Sequence, residues 1–106
     1  MLSQQGRFRT GKARQYLQQL CKHFAHKVDA RHSETEGFAA LPPGDATMAA
    51  DPTCLCVTVT AKDADGLRTA RFIIDDHMVR FAHREAFEEM EWDTPRPLQA
   101  DVCSPN

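Results

Sequence analysis

The chain lacks any apolar run approaching the 18 residues that a membrane-spanning helix requires, which excludes a membrane partner of that kind. Met1-Leu2-Ser3-Gln4-Gln5-Gly6 carries no apolar stretch behind a basic start, so a secretory signal is not expected and the cytoplasm is the expected location. A surplus of positive charge is also missing: 13 Lys and Arg stand against 15 Asp and Glu, a formal net charge of -2. Nucleic acid is therefore not an expected partner, because the phosphate backbone rewards a clear cationic excess. Only 5 glycines, with 42% hydrophobic and 26% charged residues, remove the collagen-like and disordered classes. At 106 residues there is no length for a second folded unit.

What is present is 5 His and 4 Cys. Without a secretory signal, free thiols are the expectation for all four cysteines. Cys54 and Cys56 lie two apart in a strand pattern, sharing one face in a geometry awkward for bridging each other. Charge is unevenly spread. Through Arg31, seven basic residues face Asp29 alone, a balance of +6, while the remainder sets six basic against fourteen acidic, a balance of -8. A basic first helix lying near acidic later elements explains this, as does an anion site near the helix start.

Gly6 to Thr10 reads as a short strand, with Thr10 as the N-cap of a helix directly after it. Ala13, Tyr16, Leu17, Leu20 and Phe24 recur at three and four, predicting that helix to be amphipathic and to run to about His26. Turn signals at Glu36-Gly37, Pro42-Pro43-Gly44-Asp45 and Asp51-Pro52-Thr53 divide the next stretch into four strands near 28–33, 37–41, 46–50 and 54–61. In the last of these, Leu55, Val57, Val59 and Ala61 alternate with Cys54, Cys56, Thr58 and Thr60, one face apolar and one mildly polar. Asp63 or Asp65 caps a second helix, with Leu67, Ala70, Ile74, His77, Met78 and Phe81 on its inner side, ending near Ala86. Residues 88–92 read as one docked segment. The order β-α-β-β-β-β-α fits a two-layer α+β domain, with both helices on one face of an antiparallel sheet, spanning 6–92 and succeeded by a polar, poorly ordered tail over 93–106. Phe72 and Val79 fall on the outer side of the second helix, and a homodimer contact is the expected cover.

Gly6-Arg7-Phe8-Arg9-Thr10-Gly11-Lys12-Ala13 matches a phosphate-loop pattern until Ala13, where a Ser or Thr must hold magnesium, and no buried parallel strand precedes it. What survives is an anion site of Arg7, Arg9 and Lys12 beside the first amides of the helix. His23 and His26 lie about 60° apart on that helix, so both can reach one ion, whereas Cys21 lies about 160° from His23. Two ligands fall short of the three or four of a zinc site, and His77 is the natural third. Asp75-Asp76-His77 places adjacent side chains about 100° apart, so no catalytic pair is expected of it. Cys21 reads as a small packing thiol, and His32, His83 and Cys103 fall away as turn, outer-surface and tail positions.

Arg14-Gln15-Tyr16-Leu17 leading into Leu20-Cys21-Lys22-His23-Phe24-Ala25-His26-Lys27-Val28, with His77-Met78-Val79-Arg80-Phe81-Ala82-His83-Arg84-Glu85 and Trp92, resembles the bacterial family catalogued as domain of unknown function 2218. The resemblance spans about residues 6–92 and departs from the family pattern at His83. It implies a TATA-binding-protein-like β-α-β4-α arrangement, and its relatives joined to siderophore-interacting flavoproteins imply a link to iron handling. It implies no activity and no catalytic residue. The expected function is a small non-enzymatic module that binds a ligand or protein partner between the two helices through His23, His26, Lys27, His77 and Arg80. The alternative is a metal- or iron-related role of His23, His26 and His77, and an enzyme using a His as general base is the third reading. No cofactor is identified.

Overall fold

The structure, a computed structural model, describes residues 1–97. Its elements are β1 (Leu2–Arg9), α1 (Ala13–Phe24), β2 (Ala30–His32), β3 (Glu36–Leu41), β4 (Gly44–Asp51), β5 (Cys54–Ala61), α2 (Ala64–Phe81), a 3-10 turn (His83–Glu85), β6 (Glu91–Trp92) and β7 (Arg96–Pro97). Every strand pairing is antiparallel, in the order β2-β3-β4-β5-β1-β6, with β7 also on β1. The expected α+β class and antiparallel sheet are therefore present, with seven strands among the described residues.

Short connections hold the meander in register. Leu41 pairs with Gly44 across Pro42-Pro43, and Asp51 pairs with Cys54 across Pro52-Thr53, where the Asp51 carboxylate accepts the Thr53 amide at 2.8 Å. One face of the sheet is sealed: Leu55, Val57, Val59 and Ala61 of β5 join Ala39, Leu41, Ala46 and Met48 in a single core with Leu17, Leu20, Leu67, Ile74 and Met78 of the helices. Full burial of a side chain such as Leu or Val contributes about 1.5–3 kcal/mol. α1 covers the β2–β4 half and α2 the β5–β1 half, so the helices meet along one seam.

Several boundaries differ from the sequence reading. β1 begins at Leu2 rather than Gly6 because its inner face reads Leu2-Gln4-Gly6-Phe8, and a polar residue and a glycine disguise the alternation. Gln4 is buried and satisfied there: its carbonyl accepts from Arg71 at 2.7 Å, and its amide donates to the Asp93 carbonyl. A side chain on Gly6 would strike the ring of Trp92 at 2.7 Å, so this glycine admits the indole onto β1. Lys12, not Thr10, precedes α1, and the Thr10 hydroxyl instead accepts the Lys12 amide while donating to Glu85. α1 stops at Phe24, not His26. Asp63 caps α2 by accepting the Gly66 amide at 2.8 Å. α2 ends at Phe81 rather than Ala86, because the chain must return Phe87 and Met90 to the core, and Ala86 takes a left-handed backbone (φ 57°) in doing so. Its 18 residues span about 27 Å. Of the tail expected over 93–106, residues 96–97 pair with β1, while 98–106, including Cys103, lie outside the described residues.

Candidate functional site

The seam between the helices opens into a cavity of about 290 Å³. α1 contributes His23 and Phe24, the turn after it Lys27 and Val28, the end of β3 Leu41, the β3–β4 turn Pro42, and α2 Ile73 and His77. Early termination of α1 matters here, since the closing turn sets Lys27 and Val28 on the wall. Residues Ile73 and His77 are four apart on α2 and therefore share a face. That spacing also lets His77 Nδ1 reach the Ile73 carbonyl at 2.7 Å. A carbonyl only accepts, so Nδ1 carries the proton and Nε2 is the ring atom left for a ligand.

The imidazoles come together as a chain rather than a cluster. His23 and His77 have ring centroids 4.7 Å apart, and His23 and His26 6.4 Å. Phe24 packs edge-on to His77 at 4.8 Å. His26 and Arg80, expected with the ligand set, are not among the lining residues; both are exposed, and Arg80 pairs with Asp76 at 3.0 Å. Desolvation holds His23 below its ordinary value of 6.5, and the nearby charges of His77, His26, Arg80 and Lys27 push the same way. No acidic residue lines the cavity. Among the described residues, no group of three or more His, Cys, Asp or Glu is arranged to hold a metal ion.

The expected anion site is divided. Arg7 and Arg9 project from β1 into a cleft that also holds Glu91, Trp92 and Asp93, so carboxylates already stand beside the two guanidinium groups. Lys12 belongs to a separate depression with Gly11, Arg14, Gln15, Asp51 and Pro52. The cause is local: the arginines lie on the sheet face turned away from the helices, while Lys12 sits past the turn at the start of α1.

Two features are not legible in the sequence, and a third, the shared face of Cys54 and Cys56, is. The Glu85 carboxylate accepts from both the Thr10 hydroxyl (2.8 Å) and the Tyr16 hydroxyl, and burial together with that carboxylate pushes the Tyr16 phenol up to about 12. Asp75 accepts the Met90 amide at 2.9 Å and the Trp92 indole N–H at 3.0 Å, so it clasps the returning segment and is not free for acid-base work. Burial raises its carboxyl above the usual range. Cys54 and Cys56 place their sulfurs 4.0 Å apart. The lone Tyr and Trp were the available signals for the first two, since each carries a polar group that needs a partner once buried.

Among curated proteins, none matches the chain. The fold is similar to the NMR structure of PA4090 from Pseudomonas aeruginosa, with a TM-score of 0.73 and 27% identity over 88% of this chain and 96% of that one. A family model described as "Uncharacterized protein conserved in bacteria (DUF2218)" matches residues 5–93. The chain belongs to that bacterial family, as the strings around His23 and His77 imply.

Proposed function

We propose that the protein is a non-enzymatic binding module for a small, largely apolar acid, held in the cavity between α1 and α2. The observation that carries this reading is the composition of the cavity wall. Phe24, Val28, Leu41, Pro42 and Ile73 supply an apolar lining, while the cationic Lys27 and the imidazoles of His23 and His77 supply the polar positions. Hydrocarbon gains from leaving water for such a lining, and a few convergent polar groups fix its orientation. With a cation present and no carboxylate in the lining, the polar end of the ligand is an anion or a hydrogen-bond acceptor. His26 and Arg80 stand outside the lining, Arg80 in its pair with Asp76. Metal binding by His23, His26 and His77 is the weaker reading, since the described residues hold no group of three or more His, Cys, Asp or Glu arranged for an ion and a tight site requires three or four ligands.

A TATA-binding-protein-like arrangement belongs to the same proposal, without the DNA binding for which that arrangement is best known. Glu36, Asp45 and Asp51 share the sheet face away from the helices with Arg7, Arg9 and Arg31, leaving phosphate no cationic surplus. Phe72 and Val79 are 67% and 41% exposed, which supports a second copy of the chain as their cover; sedimentation at micromolar concentration tests this, and a single-subunit mass contradicts it. No helix among the described residues is long and apolar enough to cross a membrane, and a cytoplasmic site of action completes the proposal.

A thermal-shift screen of small branched and aromatic carboxylates against their uncharged amides tests the site. The acids raise the melting temperature and the amides do not, by mass action on the native state. Lys27→Ala removes the difference. Equal effects of acid and amide, or no effect of either, contradict the reading.

A further inference from the structure

Away from the helices, the sheet exposes a pair of thiols. Cys54 and Cys56 are both free and half-buried, and their sulfurs stand 4.0 Å apart on one face of β5. β1 sets an arginine opposite each, Arg9 across from Cys54 and Arg7 across from Cys56. β4 sets Asp51 opposite Cys54 and Ala49 opposite Cys56. Cys56 also borders a shallow cavity of about 300 Å³ with Gln5, Thr47, Ala49 and Thr58, so it is within reach of solutes.

From this geometry we infer that Cys54 and Cys56 form a chelating dithiolate site for a soft, low-coordinate monovalent cation of the cuprous type. Half the sulfur separation is 2.0 Å, and with metal–thiolate bonds of about 2.3 Å the two bonds meet at about 120°, leaving one side of the ion open. Tetrahedral dications need two further protein ligands, and the described residues offer no group of three or more His, Cys, Asp or Glu so arranged. Thiolates favour cuprous copper, zinc and iron–sulfur clusters, and of these cuprous copper is the one that two protein ligands can hold. The step balances without electron transfer: two thiols and one cuprous ion give a bis-thiolate complex of charge -1 and two protons. Arg7 and Arg9 face that charge, with Asp51 and, across the cavity, Glu36 opposing it. Because the metal displaces the thiol protons, affinity rises with pH.

The test is an anaerobic titration with cuprous copper buffered by bicinchoninate, in a Cys103→Ser background; Cys21 is only 1% exposed and does not compete. One copper binds per chain, with sulfur neighbours by X-ray absorption. Cys54→Ser or Cys56→Ser weakens it by more than about 100-fold, beyond what loss of an outer-shell partner causes, and Arg7→Ala by about 10-fold. Alkylation with iodoacetamide on the unmutated pair gives an independent readout, since copper loading protects Cys54 and Cys56. Retention of copper by the double serine variant, no protection from alkylation, or zinc binding as tight as cuprous copper overturns the inference.

Discussion

The two faces of the sheet obey different rules. On β5, Leu55, Val57, Val59 and Ala61 are completely buried under the helices, whereas Cys54, Cys56, Thr58 and Thr60 alternate with them and stay half-exposed. The covered face is governed by close packing, where every methylene is in contact. On the open face, the side chains answer to chemistry and solvent. The proposed ligand cavity lies at the margin of the covered side, where the two helices stop filling the space between them.

The largest effect separates the faces directly. Leu20→Ala removes a fully buried side chain and costs about 2–5 kcal/mol in urea unfolding. Thr58→Ala on the open face stays within about 0.5 kcal/mol. Comparable losses would erase the distinction.

Next comes the clasp that closes the covered side at its far edge. Asp75→Ala leaves the Met90 amide and the Trp92 indole without their acceptor, at about 1–3 kcal/mol for each donor left buried. Trp92 is the only tryptophan, so its fluorescence reports the segment's release. The pH dependence has a definite sign. The native Asp75 carboxyl binds its proton more tightly than the unfolded one does, so its contribution to stability falls as pH rises from 3.8 through the raised native value. Asp75→Asn removes that slope in denaturation measured across pH.

His23 gives a smaller effect of the opposite sense. Its native form binds the proton less readily than the unfolded chain, so stability falls as pH drops through 6.5 and is restored above it. His23→Gln flattens this part of the profile. Smallest is Arg68→Ala: the pair with Asp65 at 2.8 Å is exposed on both sides, and its loss costs about 0.2–1 kcal/mol.

The same contrast explains what the sequence disclosed. β5 and α1 were legible because their buried faces repeat apolar residues at two and at three or four. The amino-terminal half of β1 was not, because Gln4 and Gly6 occupy inner positions that only Arg71, Asp93 and Trp92 make tolerable. The proximity of His23 to His77 follows from their places bordering the two apolar stripes, and Lys27 lies one turn beyond His23. The places of Ile73, Leu41 and Pro42 were not legible, since the β3–β4 turn meets the helices through contacts distant in sequence. Arg7 and Arg9 line one depression and Lys12 another, because the turn between β1 and α1 separates these neighbours in sequence.

The most direct test of the central claim is a residue-resolved NMR titration of the full chain with a small branched carboxylic acid and, separately, its amide. With the acid, resonances of His23, Lys27, Ile73 and His77 shift together while Thr58 and Thr60 on the open face stay fixed, and Lys27→Ala abolishes the shifts. Shifts confined to the open face, or equal shifts with the amide, contradict the account.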